Sequence, residues 1–455
     1  MNGIRMLLEN ALSHYYERLG PAMRRLFPET ADDSGSAFSP GIELPEPTPA
    51  LRAYFAASDL AHLPLRAHRG RNLALLDLMR NPATMTTKTF ASLVIVARAV
   101  RFIQDTGERV TIVTPSSANK AVALRDAVLR AITHGLVTAQ QLNVVVVVPE
   151  AAVPKMRESE LSTDPELRAR NPVAVYAGDE PGTVKDLAQG VVEEHGRHIR
   201  KAVGTNLWYT LQLENYLAAD VVRAFAEAEF FAPAADTPRL HVHAVSSAYG
   251  LLGHARGRAL LEEEQPGRGP APRYFLVQHL GAPDMVLSLH HGSPGPEHAP
   301  SYVYDPDSGL YGQQQDERFP ALTHDPHEVL DSTFYTRKPV TSPRMNEIIR
   351  AQGGGGLVVS LHECLERYPL VRAVLGEAGV ALPADPRAVR EWSLVMAMTG
   401  VLNAIDRGLV DERDILVHGS GSYAAGDYVP LSVRDMWPAE DRASLGDVVV
   451  KASGL

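Results

Sequence analysis

The chain has one cysteine, Cys364 in "LHECLERY", so it can close no disulfide within itself and gather no thiolate cluster around a metal. Apolar runs are short: nowhere do about 18 apolar residues follow one another, and no membrane-spanning helix is expected. Basic charge is also in deficit. With Lys+Arg 44 against Asp+Glu 54, the net charge of -10 offers no stripe to neutralise a phosphate backbone, which excludes nucleic acid as an expected partner. The opening "MNGIRMLLENALSHYYERLG" carries acidic and polar residues inside its apolar pattern, so no secretory signal is expected and the reducing cytoplasm is the expected location. The glycines Gly353 to Gly356 in "RAQGGGGLVVS" precede an apolar strand, whereas a phosphate loop follows one, so they read as a helix-to-strand connector.

What is present is an ordinary globular composition, 45% hydrophobic and 22% charged over 455 residues, long enough for two domains. Residues 1–30 read as an amphipathic helix, followed by a loop from Thr30 to Pro49; together they suggest an N-terminal extension over 1–60. Beyond residue 85 helical periodicity alternates with apolar strands: "RVTIVTPSS", "LNVVVVVPE", "NPVAVYAGD", "RLHVHAVSS", "YFLVQHLG", "GGLVVSL" and "DILVHGSGS". Strands without polar alternation are those covered on both faces, so the expected class is α/β: two three-layer αβα domains with largely parallel twisted sheets and a ligand cleft between them. The larger domain is expected over 61–90 and 205–455, the smaller over 91–204.

Three local features bear chemistry. Lys88 in "NPATMTTKTFASLV" opens an apolar helix, where its amine can turn into a cleft or snorkel to water. Asn119 in "TPSSANKAV" stands where a strand runs through small residues into a helix, a position that capping alone could explain. "HVHAVSSAYGLLGHA" repeats that design: small residues at a helix start either make a tight turn or let backbone N–H groups reach an anion.

Taken in order, these segments resemble the fold type II pyridoxal-phosphate enzymes of the tryptophan synthase beta-like superfamily, nearest the threonine synthase branch. "NPATMTTKTF" is similar to the family's N-P-T-x-x-F-K-D-like segment and puts Lys88 at the Schiff-base lysine, the implied catalytic residue. "TPSSANKAV" resembles the S-G-N/D loop, which implies that Asn119 meets the pyridine 3'-oxygen and that Ser116, Ser117, Ala118 and Lys120 offer backbone donors to a substrate carboxylate. "VSSAYGLLG" resembles the T-G-N-F-G phosphate loop, with Ser246, Ser247, Ala248, Tyr249 and Gly250 in its five places. "REWSLVMAMTGVL", with Glu391 and Ser393, resembles the Glu-x-Ser-like helix opening; "ILVHGSGSY" resembles the last turn, where either His418 or, two places on, Ser420 faces the pyridine nitrogen.

The resemblance implies pyridoxal 5'-phosphate as cofactor, a small amino acid as substrate, a homodimer, and elimination or replacement at a β- or γ-substituted amino acid. Departures are visible. Thr89 follows the lysine where the family has Asp, and the phosphate loop keeps one glycine, Gly250, with Ser246 and Ser247 as extra hydroxyl donors. These read as a role in specialised metabolism, not as a housekeeping threonine synthase. A non-catalytic phosphate-ligand-binding protein and a pyridoxal-phosphate-dependent deaminase or racemase are the alternatives. No metal is expected: His241 and His243 share a strand face, and His290, His291 and His298 cluster in "LHHGSPGPEH", but no neighbouring carboxylate or cysteine completes either set. "SYVYDPDSGLYG", with Tyr302, Tyr304, Asp305 and Asp307, reads as a turn.

Overall fold

A computed structural model describes residues 5–27, 38–331 and 336–454. Among these, two parallel-stranded sheets organise the chain. The five-stranded sheet runs Trp437–Pro438, Val173–Tyr176, Leu142–Pro149, Arg109–Pro115, Thr205–Tyr209, parallel throughout. The seven-stranded sheet runs Met6–Leu8, Leu60–Pro64, Asn72–Asp77, Asp414–Gly419, Arg239–Ala244, Arg273–His279, Gly354–Val359. It is parallel from Asn72–Asp77 onward and antiparallel at its first two strands. Every residue of Leu142–Pro149 is buried, which is why this strand is a continuous valine run without alternation.

The α/β class, the parallel sheets and the seven named strands stand as expected; three placements differ. The N-terminal segment is no appendage. Met6–Leu8 pairs with Leu60–Pro64, and the helix Tyr16–Leu26 sends Leu19 and Met23, with Leu12 before it, fully into the core. A single amphipathic helix over 1–30 is therefore replaced by a strand and two helices, and parts of the expected loop from Thr30 to Pro49 lie outside the described residues. Thr205–Tyr209 pairs with Arg109–Pro115, so the small sheet continues past residue 204. The chain also returns to it at the end: Trp437–Pro438 pairs with Val173–Tyr176, and the helix Arg442–Ala452 packs on Thr183–Val203. Two-residue edge pairing of this kind has no periodic signal for a sequence to show.

The helix Ser393–Asp406 lies against the seven-stranded sheet and is buried along its whole length to Ile405, which explains an apolar composition on all sides. Gly400 is the point of closest approach: a Cβ there would stand 2.5 Å from Cγ2 of Val277. Gly400→Ala is expected to force the helix off the sheet and to lower unfolding free energy by about 1–3 kcal/mol, read as a reduced denaturation midpoint at unchanged slope.

Candidate active site

Beyond the carboxyl ends of the strands, the loops between sheets enclose a cavity of about 320 Å³, the size of a small-molecule site. Its wall includes Lys88, Ser116, Ser117, Asn119, Lys120, Ser246, Ser247, Ala248, Tyr249, Gly250, Ser393 and Ser420. Segments from distant parts of the sequence thus converge. Three of the expected residues do not line it, one of them Glu391, whose carboxylate instead accepts from the Asn119 amide. Ala118 is absent from the wall, and His418 bonds Arg223 and His241; of the two alternatives for the last turn, Ser420 is the one that lines the cavity.

Lys88 is the first residue of the helix Lys88–Thr106 and opens to the cavity, with protein enclosing it on the other sides. Its Nζ stands 5.2 Å from the Tyr216 ring and 5.6 Å from the Tyr249 ring, and these two rings stack 4.6 Å apart. Removal from water pushes the Lys88 ammonium below the ordinary lysine range; Asp220 opposes this and Arg223 adds to it. Lys120, whose Nζ donates to the Thr210 carbonyl at 2.7 Å, is pushed down further by burial and then by the Lys88 charge. The amine of Lys88 is therefore poised towards its neutral, nucleophilic form.

Asn119 opens the helix Asn119–Thr133, and a buried network fixes its amide. Nδ2 donates to Glu391 at 2.6 Å while Oδ1 accepts from the Tyr423 hydroxyl at 2.8 Å. An amide nitrogen has two hydrogens, so one remains for a ligand. Glu391 is held in turn by Ser393 and by Lys155, whose Nζ also reaches Asp331 at 2.6 Å. Ser116 spends its hydroxyl inside the loop, accepting from the backbone N–H of Ala118 and Ala121.

The loops around the cavity are strained. Ala118 has φ 111°, Ala248 φ 49° and Met85, in the segment before Lys88, φ 51°. Each costs of order 1 kcal/mol in a residue with a Cβ. Several polar groups here also lack partners: the hydroxyls of Ser246 and Ser420 and both ring nitrogens of His243 are buried without a hydrogen bond. Buried polar atoms are rarely left so, and their concentration in one cavity marks a ligand's place.

Arg223 is the residue that sequence reasoning missed. It is fully buried, bonded to Asp220 at 2.7 Å, to Thr87 Oγ1 at 2.8 Å and to His418 Nδ1 at 3.1 Å, and it lines the cavity with Asp220 and His243. A Cβ on Gly250 would stand 2.8 Å from its guanidinium, so the one glycine retained in that loop makes room for Arg223. The available signal was a pair of opposite charges, Asp220 and Arg223, three places apart in the otherwise apolar helical run "LAADVVRAFA". The expected turn around Tyr302 and Asp307 forms an exposed hairpin of Val303–Asp305 with Leu310–Gly312, away from the cavity.

Comparison with solved structures places the fold. The chain superposes on threonine synthase from Escherichia coli with a TM-score of 0.51 at 12% identity, covering 98% of this chain and 99% of that one. Also similar are pyridoxal-phosphate-bound threonine synthase from Brucella melitensis, with TM-score 0.47, 14% identity and coverage of 86% and 81%, and L-serine ammonia-lyase from Rhizomucor miehei, with 0.46, 13%, 80% and 95%. The architecture is that of the fold type II enzymes. No curated protein matches the sequence. Residues 7–453 match one family along nearly the whole chain, and the chain belongs to it: the family of unknown function DUF6002.

Proposed function

We propose that the protein is a pyridoxal-phosphate-dependent enzyme that eliminates or replaces a substituent of an amino acid. The observation that carries this reading is the convergence of Lys88, Asn119, the 246–250 loop and Ser420 on one cavity in which the Ser246 and Ser420 hydroxyls lack partners. The donor set fits the group. Lys88 offers an amine shifted towards neutrality for an aldehyde, and Asn119 its remaining N–H for a ring oxygen. Ser246 and the backbone N–H groups at the start of the helix Tyr249–Glu264 suit a phosphate, and Ser420 suits a ring nitrogen.

When bound, pyridoxal phosphate supplies an electron-withdrawing ring that stabilises negative charge at a substrate's α-carbon. The chain supplies the rest. Lys88 Nζ, enclosed and with its ammonium disfavoured by burial, takes the α-proton and returns it. Backbone donors of the 116–120 loop orient the substrate carboxylate, and the network from Asn119 through Glu391 to Lys155 ties that loop to the start of the helix Ser393–Asp406. Four basic side chains, Lys88, Lys120, Lys185 and Arg223, line the cavity with Asp220, a wall of N–H donors suited to anionic reactants.

Three outcomes are expected. Borohydride treatment of protein incubated with pyridoxal phosphate should fix a pyridoxyl group on the Lys88 peptide by mass spectrometry, and Lys88→Ala should carry none; label retained elsewhere at full yield overturns the assignment. Ser246→Ala or Ser420→Ala should each weaken cofactor binding about tenfold, the effect of one hydrogen bond to a charged or strongly polar partner. The rate of cofactor uptake should rise with pH to a plateau whose midpoint lies below the ordinary lysine range. Asp220→Asn should move that midpoint lower, because Asp220 is the charge that favours the Lys88 ammonium. Product analysis with serine, threonine and O-phosphohomoserine then separates elimination and replacement from deamination and racemisation.

A further inference from the structure

A second cleft, of about 220 Å³, is lined by Glu227, Arg239, His241, Arg258, Gln265 and Arg268. At its floor Glu227, His241 and His254 are buried with their donor atoms within 4.8 Å of one another, an arrangement that on composition alone suits a metal ion. The direction of the protons decides otherwise. A guanidinium only donates, so the 3.1 Å contact of Arg223 Nη1 makes His418 Nδ1 an acceptor. Burial keeps His418 neutral, so its single proton sits on Nε2 and is donated to Nδ1 of His241 at 3.0 Å. His241 is neutral for the same reason, and its own proton is thereby placed on Nε2.

On the other side, His254 Nε2 donates to Glu227 at 2.7 Å while its Nδ1 accepts from the Tyr274 hydroxyl at 2.9 Å. Arg239 donates to the second Glu227 oxygen at 2.8 Å and is shared with Asp414. Both histidines thus turn N–H groups, not lone pairs, towards the centre, and a metal cation would meet protons there.

The donors without acceptors point to a ligand of the opposite sign. His241 Nε2 has no hydrogen bond, the Glu227 carboxylate oxygen standing 3.6 Å away, and Arg268 Nε is buried without a partner while its Nη2 donates to Gln265 Oε1 at 2.7 Å. Arg258 has only a 3.5 Å contact to the Arg268 carbonyl, and among the described residues neither arginine forms an ion pair. Glu262, on the same helix as Arg258, feels the charge of both arginines but has its oxygens bonded to the backbone N–H groups of Gly267 and Arg268. We propose that this cleft binds a small oxyanion, the phosphate or carboxylate group of a metabolite, between Arg258, Arg268 and the Nε2–H of His241. The site stands apart from the cavity but is joined to it, since the His241–His418–Arg223 chain ends on a guanidinium that lines the cavity wall.

The test is calorimetric titration of the tag-free chain, saturated with pyridoxal phosphate, with inorganic phosphate and separately with citrate. Wild type is expected to bind one phosphate or citrate per chain, and Arg258→Gln/Arg268→Gln, which alters two half-exposed side chains, to bind it at least about tenfold more weakly. His241→Gln should weaken it without the loss of surface charge. If the chain takes up no pyridoxal phosphate, the same double variant is expected to lose one phosphate site relative to wild type, so failure of the cofactor reading leaves this result legible. Equal binding by wild type and double variant, or none at millimolar anion, overturns the proposal. So does stoichiometric Zn²⁺ uptake by the chelator-stripped chain that Glu227→Gln abolishes.

Discussion

The guanidinium of Arg223 is the fixed point about which the functional half of the molecule is arranged. A full charge without water costs several kcal/mol unless paired and hydrogen-bonded, and here Asp220, Thr87 and His418 together meet that requirement. Each partner belongs to a different part of the site. Asp220 ends the helix Glu214–Asp220, Thr87 immediately precedes Lys88, and His418 is on the central strand Asp414–Gly419. Gly250 takes its identity from the same group, since any side chain there would collide with it. Thr87 also donates its backbone N–H to the Ser420 carbonyl, which links the lysine segment to the last strand's turn. Lysine could not substitute, because a single ammonium lacks the planar fork that reaches three partners in three directions.

Backbone strain is distributed with the same bias. Of six described residues with a Cβ at positive φ, three, Met85, Ala118 and Ala248, sit in the loops that close the cavity, the others being Asn10, Arg69 and Lys338. A chain selected only for stability would place glycine or asparagine there. Cores elsewhere hold these loops: the segments before and after each are strands or helices with fully buried apolar residues. Strain kept at a cavity and offset by packing outside it is the signature of a preorganised site.

Much of this was legible in the sequence because the relevant signals are local. Apolar runs without alternation gave the parallel strands, and small residues between a strand and a helix gave the 116–120 and 246–250 loops. Lys88 stood at the start of an apolar helix, as its place in the cavity requires. What was not legible depends on pairing across long separations. Met6–Leu8 is a strand only because Leu60–Pro64 lies beside it, and Trp437–Pro438 only because Val173–Tyr176 does. That Ser420 lines the cavity while His418 bonds Arg223 depends on a helix far away in the chain, so the segment "ILVHGSGSY" alone could not show it. Glu227 and His254 likewise join His241 from helices, so no spacing in "HVH" could announce them.

The return of the chain's end to the smaller sheet has a mechanical consequence. The backbone passes between the two sheets after Asn72–Asp77, after Thr205–Tyr209 and again before Trp437–Pro438, and the last passage is stitched to the smaller body where Leu431 and Glu158 exchange backbone bonds with Met156 and Val429. Two passages would leave a pair of swivels about which one body could turn freely. A third passage takes part of that freedom away, because any rotation of one sheet against the other must carry three backbone connections at once.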